Sequence, residues 1–223
     1  MNSGNILILP GWLNSGPDHW QSRWQAAHGY TRVEQHDWAR PLRGDWIARL
    51  EDVVLAQKVD APITLVAHSL GCLLVAAWAA LSHNTHRVKC ALLVAPCDVA
   101  REALRPVLSS WKPGPPQRGA EPAPKTPPDA SPGATSQTPT SHRPMSQKLP
   151  FRSLLLASHT DPYCSFERAQ ALATGWGATL IDCGARGHLN AESGLGDWPQ
   201  GHALLLALQR GETENPSRPY ESD

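Results

Sequence analysis

The stretch Leu65–Cys72, LVAHSLGC, joins two different apolar patterns in the sequence. The run that ends at Ala67 is short and continuously apolar, which is typical of a strand buried on both faces of a sheet. The residues from Leu70 onward have the length and spacing of a helix. Ser69 therefore stands between a strand and a helix, in a sequence one glycine short of the G-x-S-x-G pattern that marks a nucleophilic serine.

Two interpretations of Ser69 are open at this point. Serine is a favoured N-cap residue, so its hydroxyl could simply cap the helix that follows. The nucleophile turn instead needs small residues two positions before and two after the serine, because the strand and helix backbones pass close together there. Ala67 and Gly71 meet that requirement, and the strand-turn-helix context favours the nucleophile.

The rest of the chain predicts an α/β fold class, in which short strands alternate with longer helices and a mostly parallel sheet is covered on both faces. We predict six strands, at Ile6–Leu9, Arg32–Asp37, Ile63–Ala67, Cys90–Ala95, Ser153–Ala157 and Thr179–Asp182. The predicted helices are Asp18–His28, Asp45–Gln57, Leu70–Ser82, Ser165–Gly175 and Trp198–Gln209. Right-handed crossovers favour the sheet order 2-1-3-4-5-6, with the more polar second strand at an edge. Ser69 then lies beside the reversal of strand order, where open α/β sheets bind ligands.

The segment 113–148 interrupts this alternation. From Pro113 to Pro150 the chain carries about half of its 21 prolines and almost no apolar residues. Such a composition buries too little apolar surface to offset the entropy of ordering, so we expect a disordered insertion within one domain spanning residues 1–211. Its PAPKTPP sequence also fits a polyproline II ligand for an aromatic groove. The polar residues 212–223 predict a flexible tail.

Charge and cysteine content argue against several classes of function. The 20 Lys and Arg balance the 20 Asp and Glu, so no charged field predicts a nucleic acid or a membrane surface as partner. The five cysteines form an odd set without a C-x-x-C pair, which predicts reduced, mostly buried thiols. No signal-peptide pattern opens the chain and no apolar run is long enough to span a bilayer, so we expect a cytoplasmic protein.

A working serine needs an imidazole to take its proton and a carboxylate to orient that imidazole. In α/β-hydrolases these follow the serine in the order acid, then histidine, each in a loop after a strand. Three aspartates fit the acid, Asp98, Asp161 and Asp182, and loop position favours Asp161. Only His188 and His202 follow Asp161. His188 lies in a glycine-punctuated loop, whereas His202 falls within a predicted helix, so we predict His188 as the base.

The oxyanion of an acyl-transfer reaction needs two backbone N–H donors. We predict the N–H of Leu70, at the start of a helix, and the N–H of Trp12, in the loop after the first strand. Trp12, Leu13 and His68 are predicted to contact substrate, although Trp12 could instead serve only to pack the loop. The spacing His83-x-x-His86 is the one hint of a metal site, and we predict neither metal nor cofactor.

Five stretches together resemble a known family of small α/β-hydrolase-fold serine hydrolases, the YdeN-like proteins and their eukaryotic relative, retinoblastoma-binding protein nine. They are PGWLNSGPDHWQSRW from Pro10, VAHSLGCLLVA from Val66, ASHTDPYCSFERA from Ala157, WGATLIDCGARGHLN from Trp176 and SGLGDWPQG from Ser193. The resemblance implies a compact fold with little or no lid, a triad of Ser69, Asp161 and His188, and no metal or organic cofactor. The long insertion departs from the family. The L-x-C-x-E motif is absent, so a retinoblastoma-type partner is not expected.

The residues and the resemblance predict a serine hydrolase that cleaves small carboxylic esters or amides through an acyl-enzyme, of the esterase, peptidase or amidase type. Two alternatives stay open. An acyltransferase would use the same triad, and a catalytically silent protein of the same fold could act in binding, with the proline-rich segment recruiting partners. The sequence does not predict an oligomeric state.

Overall fold

The computed structural model describes residues 5–112 and 147–212. Within these two ranges, six parallel strands form one sheet in the order β2-β1-β3-β4-β5-β6. Their bounds are β1 Asn5–Leu9, β2 Thr31–Arg32, β3 Ile63–His68, β4 Val88–Val94, β5 Arg152–Ala157 and β6 Thr179–Asp182. The predicted α/β class and strand order are confirmed, and β4 and β5 pair directly although the proline-rich segment separates them in the chain.

In the described residues, five α-helices connect the strands or follow the last one. They are α1 Trp20–His28, α2 Arg43–Ala56, α3 Leu70–Ala79, α4 Phe166–Trp176 and α5 Pro199–Arg210. Left-handed glycines end α1, α4 and α5, at Gly29, Gly177 and Gly211, where an L side chain would be strained. Each helix lies within a few residues of its predicted position.

The second strand is much shorter than the predicted span Arg32–Asp37. Its pairing with β1 ends when the Val33 N–H donates to the Ile8 carbonyl at 2.9 Å. The next carbonyls are used elsewhere: the Trp46 indole donates to Asp37 O at 3.3 Å and the Leu13 N–H to Trp38 O at 3.1 Å. Because an edge strand has only one neighbour to hold it, these contacts draw residues 33–38 toward α2 and the β1–α1 loop.

The core has two layers, one on each face of the sheet. Alternate residues of β1 enter different layers: Leu7 and Leu9 pack with α2, α3 and α4, while Ile6 and Ile8 pack with α1 and α5. The helix α3 is buried at every position from Leu70 to Trp78, as expected for a helix that is apolar all round. This burial fixes the first turn of α3, where Ser69 stands, against the middle of the sheet.

Some predictions fall on residues that the structure does not describe. The insertion at 113–148 and the tail at 212–223 lie outside the described residues, apart from 147, 148 and 212. All five cysteines are described, and each is a buried free thiol. No helix in the described part of the chain combines the length and the hydropathy of a membrane span.

Candidate active site

Ser69 occupies a strained turn between β3 and α3. Its backbone has φ 53° and ψ −119°, a conformation that non-glycine residues rarely adopt and that is found mainly at functional sites. The crossing is tight on both sides. A Cβ on Gly71 would lie 2.3 Å from the Leu9 carbonyl oxygen, and a Cβ on Gly11 would lie 2.8 Å from the Ser69 Cβ. The small residue two positions after Ser69 is therefore a steric requirement.

The Ser69 side chain does not cap α3, although the residue occupies the N-cap position. Ser69 lines the cleft together with Cys97, which follows β4. Burial and the nearby Cys164 raise the pKa of Cys97 to about 12, so this thiol stays neutral beside the serine. The helix-cap interpretation of Ser69 is therefore wrong, and the hydroxyl is available at the cleft.

His188 and Asp161 form a buried pair at the same end of the sheet. The His188 Nδ1 lies 2.9 Å and 2.8 Å from the two oxygens of Asp161, and both residues are less than a tenth exposed. With Nδ1–H donated to the carboxylate, the lone pair of the neutral ring is on Nε2. The Tyr163 N–H also donates to Asp161, at 2.8 Å, and holds the carboxylate in place.

The other two candidate aspartates have other partners. Asp182 accepts from His159 at 2.9 Å and from the Gly184 N–H at 2.8 Å, in an exposed position. Asp98 accepts from the Ala100 N–H at 3.1 Å, inside its own turn. Of the three aspartates considered, the structure brings Asp161 to His188.

Hydrogen bonds join the loop that carries Asp161 to the loop that carries His188. The Ser158 hydroxyl accepts from the Arg186 N–H at 2.8 Å, and the Thr160 hydroxyl accepts from the Gly187 N–H at 2.9 Å. The Trp20 indole, from α1, donates to the carbonyl that follows His188 at 2.8 Å. Sequence reasoning missed these positioning residues, because serine and threonine in a loop give no signal of which distant amide they bind.

The loop after β1 lies against Ser69 and contributes the other predicted residues. Gly11 approaches both Ser69 and the Leu70 nitrogen. Leu13 and Asn14 have φ of 65° and 67°, and the Asn14 N–H closes the turn on the Gly11 carbonyl at 3.1 Å. The first N–H groups of a helix have no acceptor within it, which leaves the Leu70 N–H suited to an anion. The loop that carries Trp12 is therefore adjacent to the Leu70 N–H, and the Trp12 N–H as second donor stays a prediction.

A cleft with a volume of about 280 Å³ opens over these groups. The residues predicted for the site that line it are Trp12, Leu13, His68, Ser69, Leu70 and His188. His68 is buried, and its Nε2 lies 2.9 Å from the His188 carbonyl oxygen. Its ring therefore supports the His188 loop as well as the cleft wall. Trp12 donates its indole N–H to the Ala39 carbonyl at 3.0 Å, which anchors the loop.

Sequence reasoning missed His19 and Cys97, which also line the cleft. Burial is the main reason that the pKa of His19 is lowered to about 3, and it also lowers the pKa of His68 far below the ordinary value. Both rings are therefore neutral near pH 7. Among the described residues the cleft is lined by no lysine or arginine, and Glu192 lies at its rim. The sequence signal that could have identified His19 and Cys97 is their position, because they lie in the segments that follow the central strands β1 and β4.

Fold and site together define this protein as a serine hydrolase of the α/β-hydrolase fold. The family model for serine hydrolases matches residues 6–207, and the chain belongs to that family. No curated protein matches the chain.

Solved structures agree with the family. A protein described as a YdeN-like hydrolase, from Pectobacterium atrosepticum, is 25% identical with a TM-score of 0.70, over 92% of this chain and 90% of that chain. The ydeN gene product of B. subtilis is 17% identical with a TM-score of 0.64, over 92% and 98%. A carboxylesterase from Bacillus subtilis is 14% identical with a TM-score of 0.54, over 94% and 85%. The second and third of these structures, which are less than 25% identical, show the fold alone. The family match and the YdeN-like structure together confirm the predicted resemblance to YdeN-like proteins.

Proposed function

We propose that this serine hydrolase cleaves small carboxylic esters or amides through an acyl-enzyme on Ser69. The observation that carries the proposal is the buried His188–Asp161 pair, with Nδ1 to carboxylate distances of 2.8 and 2.9 Å. The histidine of this pair lines one cleft with Ser69, a serine on a strained turn. A histidine held in this way has its second nitrogen available as a base.

The proposed reaction has two halves. Ser69 Oγ attacks the acyl carbonyl carbon, and His188 Nε2 takes the hydroxyl proton while Asp161 stabilises the imidazolium. The N–H groups of Leu70 and Trp12 bind the oxyanion. The tetrahedral intermediate then breaks the bond to the leaving alcohol or amine, which receives the proton from His188. Water repeats the sequence on the acyl-enzyme, releasing the acid and regenerating Ser69.

The cleft supports small, uncharged substrates. Its volume of about 280 Å³ is at the low end for a pocket that encloses a drug-sized ligand. Leu104 and Leu108 offer apolar contact for a short acyl chain, and no cation among the described lining residues would pair with an anionic substrate.

The cytoplasmic location expected from the sequence remains a prediction.

The test uses a fluorophosphonate probe and p-nitrophenyl esters of increasing acyl length. We expect stoichiometric labelling of the wild-type protein and the fastest turnover on short acyl chains. Ser69→Ala should abolish labelling and lower kcat by about 10⁴-fold or more. Ser109→Ala, which removes an exposed serine outside the cleft lining, is the control and should behave as wild type.

Three results would count against the proposal. If folded wild-type protein takes up no probe and hydrolyses no ester, the result supports the catalytically silent binding protein instead. Labelling that persists in Ser69→Ala places the nucleophile elsewhere. Rates that rise steadily from acetate to palmitate contradict the small-substrate assignment. Partition of the acyl group toward an added alcohol would instead identify an acyltransferase.

A further inference from the structure

His19 is a buried histidine of the active-site cleft that the proposed reaction does not use. It is the N-cap of α1, where its Nδ1 accepts a hydrogen bond from the Gln21 N–H at 3.1 Å. The ring packs against Trp20 at 5.2 Å and edge-on against His68 at 4.7 Å between centroids. Only 5% of the residue is exposed, so both faces and the Nδ1 edge are occupied by protein.

The remaining ring nitrogen of His19 has no hydrogen-bond partner in the part of the chain that the structure describes. Because Nδ1 accepts, the proton of the neutral ring is on Nε2. Burial lowers the pKa of His19 to about 3, which keeps this tautomer neutral over the working pH range. Nε2 is buried, and no hydrogen-bond acceptor is assigned to it within the described residues. A buried donor left without an acceptor is costly, and its retention calls for an explanation.

The location of His19 supplies that explanation. It lines the cleft together with Ser69 and His188. The His68 ring contacts the rings of both other histidines, with its centroid 4.7 Å from that of His19 and 4.8 Å from that of His188. His19 is therefore one ring further from the reacting atoms than His68. A donor at that position reaches a part of the substrate away from the carbonyl that Ser69 attacks.

We propose that the His19 Nε2–H binds an acceptor oxygen of the substrate outside the scissile bond. The substrate class is then a small ester or amide that carries an additional ether, hydroxyl or carbonyl oxygen. This inference rests on the proposed hydrolase function. Since Nε2 is shielded from water in the free protein, binding requires a small side-chain rotation, as is common when ligands bind.

The experiment compares pairs of esters in which one methylene is replaced by an ether oxygen. On the acyl side the pair is p-nitrophenyl hexanoate and its isosteres with oxygen at each position beyond the α carbon. On the alcohol side it is butyl acetate and methoxyethyl acetate. We expect wild-type kcat/KM to favour the oxygen-bearing member at one position, by roughly 3- to 10-fold, the worth of one neutral hydrogen bond.

Two substitutions separate the donor from the helix cap. His19→Asn keeps a side-chain oxygen near the Nδ1 position, where it caps α1, but removes the donor at Nε2. His19→Gln places its amide nitrogen near the Nε2 position and gives up the cap. The oxygen preference should vanish in His19→Asn and persist, at least in part, in His19→Gln. Both variants are checked for folding by urea unfolding.

The inference is overturned if wild type shows no oxygen preference at any position. It is overturned equally if His19→Asn slows both members of each pair to the same extent, because His19 then acts only through structure. Neither result contradicts the hydrolase assignment, because labelling of Ser69 by fluorophosphonate is measured separately. Absence of labelling and turnover in wild type would instead remove the proposed function and this inference with it.

Discussion

Among the residues that the structure describes, two aspartate–histidine pairs lie at the carboxyl end of the sheet, and they differ in burial. His188 and Asp161 are 2.8 Å apart with side chains 8% and 3% exposed. His159 and Asp182 are 2.9 Å apart with side chains 50% and 54% exposed. Water competes for the second pair and screens its charges, whereas the first is held in a fixed orientation. The two pairs have nearly the same distance between histidine and aspartate, so burial rather than distance distinguishes them.

Asp161→Asn is expected to lower kcat by about 10³- to 10⁴-fold with KM little changed. With its oxygen accepting from the Tyr163 N–H, the asparagine turns its NH2 group toward His188 Nδ1, which favours the wrong tautomer of the ring and removes the counter-charge for the imidazolium. The measurement is steady-state hydrolysis of a short p-nitrophenyl ester.

Asp182→Asn is the matched control for that substitution. It removes the same charge from the exposed pair and keeps an oxygen for the Gly184 N–H. We expect activity within about twofold of wild type, since an exposed pair contributes little. Similar losses in both variants would show that the effect comes from general charge removal at this edge of the sheet.

At the scale of elements, the function depends on how closely β1 approaches the turn between β3 and α3. The glycine at position 71 lets the first turn of α3 pass the Leu9 carbonyl, and Gly11 lets the β1–α1 loop reach Ser69. An added Cβ would meet the Leu9 carbonyl oxygen in one case and the Ser69 Cβ in the other, and neither atom can be moved aside by a change of rotamer. The strained turn is therefore held by the packing around it.

Gly71→Ala is expected to lower the free energy of unfolding by about 2 kcal/mol or more, because the added Cβ overlaps a backbone oxygen. The kcat should fall at least 10-fold, since relief of the overlap moves Ser69 away from the cleft. Urea denaturation and ester hydrolysis measure the two effects.

Gly44→Ala makes the same chemical change within α2, where a Cβ would meet no atom within 4 Å. It should leave activity unchanged and raise stability by up to about 1 kcal/mol, because alanine loses less backbone entropy in a helix. If Gly71→Ala proves as harmless as Gly44→Ala, the close crossing described for the turn is incorrect.

For the whole molecule, the buried neutral histidines link folding stability to pH. The pKa of His19 falls from 6.5 to about 3 on folding, chiefly through burial, and that of His68 also falls. Between pH 6.5 and about 3, His19 of the unfolded chain binds a proton that His19 of the folded protein does not. This contribution to stability is therefore complete above pH 6.5 and is lost progressively as the pH falls toward 3.

The free energy of unfolding of His19→Asn should depend less steeply on pH than that of wild type. The difference in slope should approach about 1.4 kcal/mol per pH unit in the middle of that range. Urea unfolding at pH 7, 6 and 5 measures it. His36→Asn, which replaces an exposed histidine, should keep the wild-type slope. Parallel curves for all three proteins would mean that the pKa of His19 does not fall on folding.

Much of the fold could be predicted because each signal is local in sequence. Continuous apolar runs such as Ile63–Ala67 predict buried strands wherever they occur, and their alternation with helices allows few topologies. The second strand was the exception. Its length depends on which partners Asp37 and Trp38 find, and those partners, Trp46 and Leu13, are set by the three-dimensional packing.

The sequence by itself determined the α/β class, the strand order and the candidates Ser69, Asp161 and His188, because strand, turn and helix patterns place each candidate after a strand. Only the tertiary structure decided that Asp161 rather than Asp182 meets His188 and that the Ser69 side chain leaves α3 uncapped. It also decided that His19 lines the cleft and that its buried Nε2 has no partner among the described residues. The physical reason is that burial and distance belong to pairs of residues far apart in the chain. The sequence pattern around one residue does not specify which distant residue it will contact or how deeply it will be buried.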